Sequence, residues 1–210
     1  MRNLLGKVLL AGSLLTAVVL TPARADEVAE SSTGVKFQSP LSAFGKSFTL
    51  LGTGVRKKFI VKVYAMALYA ESGEGKKAYA SSGEHGAAWI AKGSFDKLAI
   101  LHFVRDVESE KMRSAYTETL ADELADSAPA DIRTAAQQFI AMFDHDAKSG
   151  GEVWVHTSGD GTVTVDQAGQ KKSMKVPPAL VRSIWNIWLG KKPISEDLKT
   201  GLVSGVDSLK

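Results

Sequence analysis

The chain has no cysteine among its 210 residues. Disulfides, thiolate catalysis, thiolate metal ligation and lipid attachment through a lipobox are therefore excluded. Histidine is scarce, with four residues at 85, 102, 145 and 156, and no two of them have the spacing of a zinc pair. A phosphate-binding glycine loop ending in Lys-Ser or Lys-Thr is absent, as is a Gly-x-Ser-x-Gly nucleophile elbow. Acidic residues are missing from the first 25 positions, and three of the 26 basic residues (Arg2, Lys7, Arg24) lie there. The remainder has 23 basic and 23 acidic residues, so the basic character of the whole chain carries no nucleic-acid signal. Its lysine pairs, 57–58, 76–77, 171–172 and 191–192, read as solvated faces. No metal and no cofactor is expected.

What the first 25 residues do contain is ordered. Arg2 and Lys7 precede an apolar stretch, Val8 to Leu20, and Pro22-Ala23-Arg24-Ala25 places small residues before Asp26. This is the layout of a cleavable secretory signal peptide, and the apolar stretch is short for a stable membrane span. The expectation is cleavage after Ala25, a periplasmic location and no stable span in the mature chain. Residues 26–34 are small and polar and read as a flexible leader. Residues 35–210 suffice for one domain with an ample core.

Strand signals come first. Phe48–Leu51 leads through Gly52-Thr53-Gly54, read as a turn, to Val55-Arg56, and Lys57-Lys58 is placed at the turn before a run from Phe59 to Ala70. Both faces of this run are apolar, which predicts a strand covered on both sides and a hairpin. Residues 71–86 read as a loop around a short helix, Ala88-Trp89-Ile90 as a short strand, and Leu98–Val104 as a strand with Arg105-Asp106 at its exit. Met112, Ala115, Tyr116, Leu120 and Leu124 form a helical stripe capped by Ser109. A second stripe runs from Ile132 to Phe143, opened by Ser127 and Pro129. Strands return at 153–156, 162–165 and 172–176. Pro177-Pro178 then opens a helix carrying Leu180, Ile184, Trp185, Ile187 and Trp188, and Ser195 caps a last short helix. The order predicts an α+β fold: an antiparallel β-sheet backed by a layer of α-helices, in a single domain.

Most polar residues have a bland reading. His102 and His156 fall in strands and read as packed, hydrogen-bonded residues; Asp144-His145-Asp146 reads as a solvated helix end. Arg56 stands apart. It cannot discharge, so a guanidinium aimed into an apolar layer needs an anionic partner, and no acid lies nearby in sequence. Tyr64 lies on the next strand, where the two side chains can converge on one face. A guanidinium beside a phenol is a good carboxylate or enolate receptor. A surface arginine on a hairpin is the other reading, and spacing alone does not separate them.

Leu51-Gly-Thr-Gly-Val-Arg56, with Phe59-Ile-Val-Lys-Val-Tyr64-Ala-Met-Ala-Leu-Tyr69-Ala-Glu71, resembles the hallmark of the chalcone isomerase-like superfamily, and in particular its bacterial exported branch. Leu101-His-Phe-Val-Arg-Asp106-Val and Ile184-Trp-Asn-Ile-Trp188-Leu-Gly190-Lys-Lys-Pro193 are similar to later blocks of that branch. The resemblance covers roughly residues 35–205 and implies a ligand cleft between sheet and helices. The family contains isomerases that close chalcones to flavanones, fatty-acid-binding members, and members without known catalysis. Arg56 falls on the isomerase arginine. The isomerase Thr, Tyr and Asn fall on Tyr64, Met112 and Thr119, and a Ser or Thr near the C-terminal helix falls near Ile187. Loss of these polar groups argues against efficient isomerisation. Arg56 with Tyr64 matches the pair that fatty-acid-binding members use for a carboxylate. The resemblance thus implies a non-catalytic binder of a small amphiphile or fatty acid, with Met112, Thr119 and Ile187 lining the pocket. An intramolecular lyase using Arg56 as electrostatic catalyst is the alternative. A non-catalytic interaction protein is a third, to be favoured if Arg56 were solvent-exposed or paired with an acid such as Asp106.

Overall fold

The computed structural model describes residues 26–124 and 128–210. The expected signal peptide and Ser127 lie outside the described residues. Nine strands are present among the described residues: β1 (Asp26–Ala29), β2 (Lys36–Ser39), β3 (Leu41–Ala43), β4 (Lys46–Lys58), β5 (Val61–Glu71), β6 (Lys97–Phe103), β7 (Glu152–Thr157), β8 (Thr162–Gln167) and β9 (Gln170–Lys175). The helices are α1 (Ser72–Ala80), α2 (Ala87–Lys92), α3 (Ser109–Glu123), α4 (Ala130–Ala141), α5 (Pro178–Leu189) and α6 (Glu196–Leu202). Strands β3 to β9 form one seven-stranded antiparallel sheet in chain order, and β1 pairs with β2 in a separate ribbon. An α+β domain with an antiparallel sheet backed by helices is what the element order predicts.

The long β5 explains why both faces of its run are apolar. Tyr64, Met66, Leu68 and Ala70 face the main core, which the helices cover. Ala65, Ala67 and Tyr69 face a smaller cluster with Phe37, Leu41, Phe48 and Leu98. Phe37 belongs to β2, so the N-terminal segment helps to close the second face. Residues 26–34, expected as a flexible leader, thus form β1 and a turn in which the Glu30 carboxylate accepts from the backbone N–H and hydroxyl of both Ser32 and Thr33.

Several local expectations give way to tertiary context. Ala88-Trp89-Ile90 lies inside α2, because Trp89, Ile90 and Ala91 pack against the helical core rather than against a sheet edge. Gly52-Thr53-Gly54 is not a turn but the middle of β4, which bulges between Leu50 and Gly52. Its glycines make room for α6 rather than for a ligand: a Cβ on Gly52 would lie 2.3 Å from the Gly201 carbonyl oxygen, and one on Gly54 would lie 3.0 Å from that of Leu198. Lys57 and Lys58 belong to β4, and the turn is Phe59-Ile60. Ser109 is the first residue of α3 rather than its cap, and its N–H is held by the Asp146 carboxylate at 3.0 Å. Ser195 does cap α6, accepting from the Leu198 N–H.

One buried lysine lies at the α2 end of the sheet. Lys97 is fully buried, and its ammonium donates to the Ile90 carbonyl (3.0 Å) and the Gly93 carbonyl, at the C-terminus of α2. It lies 5.6 Å from the Trp185 ring. Burial pulls its pKa down to about 7, against the opposing field of neighbouring Asp96. Since the unfolded ammonium titrates near ~10.4, the unfolded chain binds more protons than the folded one between these values, and stability rises with pH across that window. Thermal unfolding followed by circular dichroism should give a Tm that climbs from pH 7 to pH 9.5. In Lys97→Met that climb should disappear.

Candidate functional site

The site follows from the β4–β5 hairpin. Arg56 and Tyr64 are direct partners across the two strands, which puts both side chains on the helical face. The Arg56 guanidinium carbon lies 5.8 Å from the centre of the Tyr64 ring, a cation–π distance. Together they form one wall of a cavity of about 440 Å³, within the ~300–1,000 Å³ usual for small-molecule sites. Phe103 of β6, Met112 and Tyr116 of α3, and Ile194 in the α5–α6 connection form much of the rest.

The polar groups inside this cleft are unevenly satisfied. Tyr64 Oη accepts a hydrogen bond from Trp188 Nε1 at 3.2 Å, so its own proton is free to be donated. The buried Tyr116 hydroxyl and the buried Nε of Arg56 have no hydrogen-bond partner among the described residues. Arg56 takes part in none of the ion pairs among the described residues. Asp106 does not serve it: that carboxylate is exposed, accepts from the Ser149 N–H at 2.9 Å and pairs with Lys148 at 3.3 Å. Burial pushes both the Tyr64 and Tyr116 phenols above their ordinary value, with the Arg56 charge acting in the opposite direction on each. Both therefore remain protonated donors at neutral pH. An unpartnered buried donor costs about 1–3 kcal/mol, and Arg56 and Tyr116, both on the cleft wall, are groups that could donate to an anion there.

The mouth of the cleft is cationic. Lys58 and Arg105 lie there with no acidic partner among the described residues, whereas Lys111 pairs with Glu108 at 3.1 Å and Lys148 with Asp106 and Asp146.

Of the residues expected to line the pocket, Met112 does so. Thr119 lies outside the cleft wall, its hydroxyl donating to the Ala115 carbonyl at 2.9 Å within α3. Ile187 is fully buried in the core of α5 and is not part of the cleft. The residue that counting along the chain missed is Tyr116. A gap-free count from β6 sets the family's helix tyrosine on Met112, yet α3 presents a tyrosine to the cleft one turn later. Its place in an apolar stripe concealed it; the signal was a hydroxyl on the buried face of an amphipathic helix, which needs a partner. Trp188, read as core, is core and also orients the Tyr64 hydroxyl.

A family model described as chalcone isomerase-like matches residues 29–204. The chain belongs to the chalcone isomerase-like family. Among solved structures it is similar to a fatty-acid-binding protein of Arabidopsis thaliana (AtFAP1), at 21% identity and a TM-score of 0.70, over 88% of this chain and 98% of that one. That likeness establishes the fold. No curated protein matches the chain in sequence. Among the described residues no three His, Asp or Glu side chains group to hold a metal, and no helix is long and apolar enough to cross a membrane.

The state of Arg56 gives a stability prediction. Breaking a buried ion pair costs about 3–5 kcal/mol, but Arg56 has no ion pair to break, and its contact with the Tyr64 ring is worth about 0.5–1 kcal/mol. Arg56→Met also removes the unpartnered Nε. Urea unfolding of the ligand-free variant should therefore give a stability within about 1 kcal/mol of the parent; a loss of about 3 kcal/mol or more would mean that the guanidinium is structural.

Proposed function

We propose that this chain is an exported, non-catalytic member of the family that binds an amphiphilic carboxylate such as a fatty acid. The observation that carries this reading is the guanidinium of Arg56 beside two protonated phenols in a cleft whose wall also presents Phe103, Val107, Met112 and Ile194. The carboxylate would accept from Arg56 and from the Tyr64 and Tyr116 hydroxyls, while Phe103, Val107, Met112 and Ile194 would receive the tail. The Arabidopsis neighbour's fatty-acid binding is consistent with this assignment, as is the layout of residues 1–25 with export to the periplasm.

Titration calorimetry on delipidated protein is the test. A long-chain fatty acid should bind, and the matching fatty alcohol should bind far less well. Removing the cation opposite a buried carboxylate costs about 2–5 kcal/mol, so Arg56→Met should weaken binding roughly 30-fold or more. Tyr64→Phe, which removes one hydrogen bond of about 1 kcal/mol, should weaken it by roughly fivefold. Equal affinity of Arg56→Met and parent would sink the assignment.

Tyr116 favours one rival. A phenol beside Arg56 partly restores the polar equipment whose loss argued against chalcone closure, since it could hold a water or donate a proton near a developing negative charge. An absorbance assay with a simple hydroxychalcone decides: turnover above the buffer rate that vanishes in Tyr116→Phe would favour the intramolecular lyase.

A further inference from the structure

The four large hydrophobic side chains left exposed among the described residues are Val28, Phe59, Ile60 and Val61. Three of them are consecutive and form the tip of the β4–β5 hairpin. Phe59 is 91% and Ile60 92% exposed, so neither contributes to the core. The turn is also a poor place for phenylalanine. Phe59 takes φ of 57°, in the left-handed region where Gly and Asn are at ease and bulky residues are uncommon. The molecule's other left-handed hairpin turns, Phe44-Gly45 and Ala168-Gly169, also hold a non-glycine residue at positive φ (51° and 52°), but each follows it with a glycine, whereas Phe59 is followed by Ile60. Two large apolar side chains, one of them strained, thus stand in water where a turn alone would favour small polar residues.

The flanks of this tip are cationic. Lys57, Lys58 and Lys62 surround it, none of them paired with an acid among the described residues; Lys62 donates to the Ser32 carbonyl, which leaves its charge uncompensated. The segment from Lys57 to Lys62 contains no acidic residue. The acids nearest the cleft mouth, Asp106, Glu108 and Asp146, are engaged by Lys111 and Lys148. The tip is too small for a stable protein partner, since such interfaces bury roughly 1,000 Å² or more. A few apolar side chains in a collar of lysines instead have the composition that inserts shallowly into the headgroup region of a negatively charged membrane. The base of the same hairpin supplies Arg56, Lys58, Val63 and Tyr64 to the cleft.

We propose that the Phe59-Ile60 hairpin tip, with its collar of Lys57, Lys58 and Lys62, is a docking element for an anionic lipid bilayer, and that it holds the mouth of the Arg56 cleft against the membrane surface. The docking itself does not depend on what the cleft binds. Insertion gives Phe59 and Ile60 an apolar environment, the lysines supply the attraction, and the cleft mouth then lies where an amphiphile leaves the bilayer.

The test uses the chain from Asp26, which holds every described element and both faces of the core; residues 1–25 would bind lipid through their own apolar stretch. Co-sedimentation is measured with fatty-acid-free vesicles of phosphatidylcholine alone and with 30% phosphatidylglycerol. Binding should be at least about tenfold tighter to the anionic vesicles at low salt and should weaken as salt rises. Phe59→Asn/Ile60→Asn should lose at least about tenfold in vesicle affinity. That variant should keep its Tm and its affinity for fatty acid presented free in solution, because both positions are exposed and neither lines the cleft. Lys57→Gln/Lys62→Gln should lose the preference for anionic lipid. The proposal is overturned if the parent chain does not bind anionic vesicles, if the Asn variant binds as well as the parent, or if sedimentation velocity shows that the tip instead joins two copies of the chain. Failure of fatty acid binding with vesicle docking intact would refute only the ligand assignment.

Discussion

A guanidinium that cannot lose its proton, held half-buried with no counter-ion among the described residues, is the constraint around which this molecule is arranged. Arg56 is placed there by the register of the β4–β5 hairpin, which sets it opposite Tyr64. That register depends in turn on the close packing of α6 against Gly52 and Gly54, and on a β5 strand buried on both faces. A one-residue slip would turn Arg56 and Tyr64 away from the helical face and send the alternate apolar set toward it. The fold therefore specifies the site tightly while leaving its charge uncompensated. Natural proteins seldom retain such a group for stability, since a packed apolar side chain would serve that purpose as well.

Around this charge the cleft is graded from apolar to cationic. Trp188 donates to Tyr64 and so directs the tyrosine's proton elsewhere, Tyr116 brings a second hydroxyl, and Phe103, Met112 and Ile194 supply apolar wall. Outward from Arg56 come Lys58 and Arg105, and then the lysine-collared Phe59-Ile60 tip. One hairpin thus carries both Arg56 with Tyr64 and the outermost apolar residues.

Much of this was legible before the fold was known, and the reasons for success and failure are physical. Arg56 and Tyr64 stood out because an arginine without a local acid precedes an apolar run; spacing alone left a surface arginine equally open, and the hairpin register places both on the cleft wall. The two-sided burial of β5 was visible because both of its period-two faces are apolar. What stayed hidden depended on distant partners. The glycines before Arg56 read as a ligand-binding turn, yet their neighbour is α6, some 145 residues away in sequence. Residues 88–90 look like a strand by composition and become helical because their partners are helices. Tyr116 was counted with the apolar stripe, since an aromatic ring at helical spacing looks the same whether its hydroxyl is satisfied or waiting for a ligand. Thr119 and Ile187 were assigned by position along the chain, and rotation around their helices placed one on its own backbone and the other in the core.

The central claim is that the charge missing opposite Arg56 is supplied by the ligand's carboxylate. Carbon-13 NMR of a carboxyl-labelled fatty acid on the delipidated protein tests this most directly, because the resonance reports ionisation of the head group itself. The account predicts a bound carboxyl that remains ionised well below the pH at which the free acid protonates, and that regains an ordinary or raised titration in Arg56→Met. A bound carboxyl that titrates like the free acid, or identically in parent and variant, would contradict it.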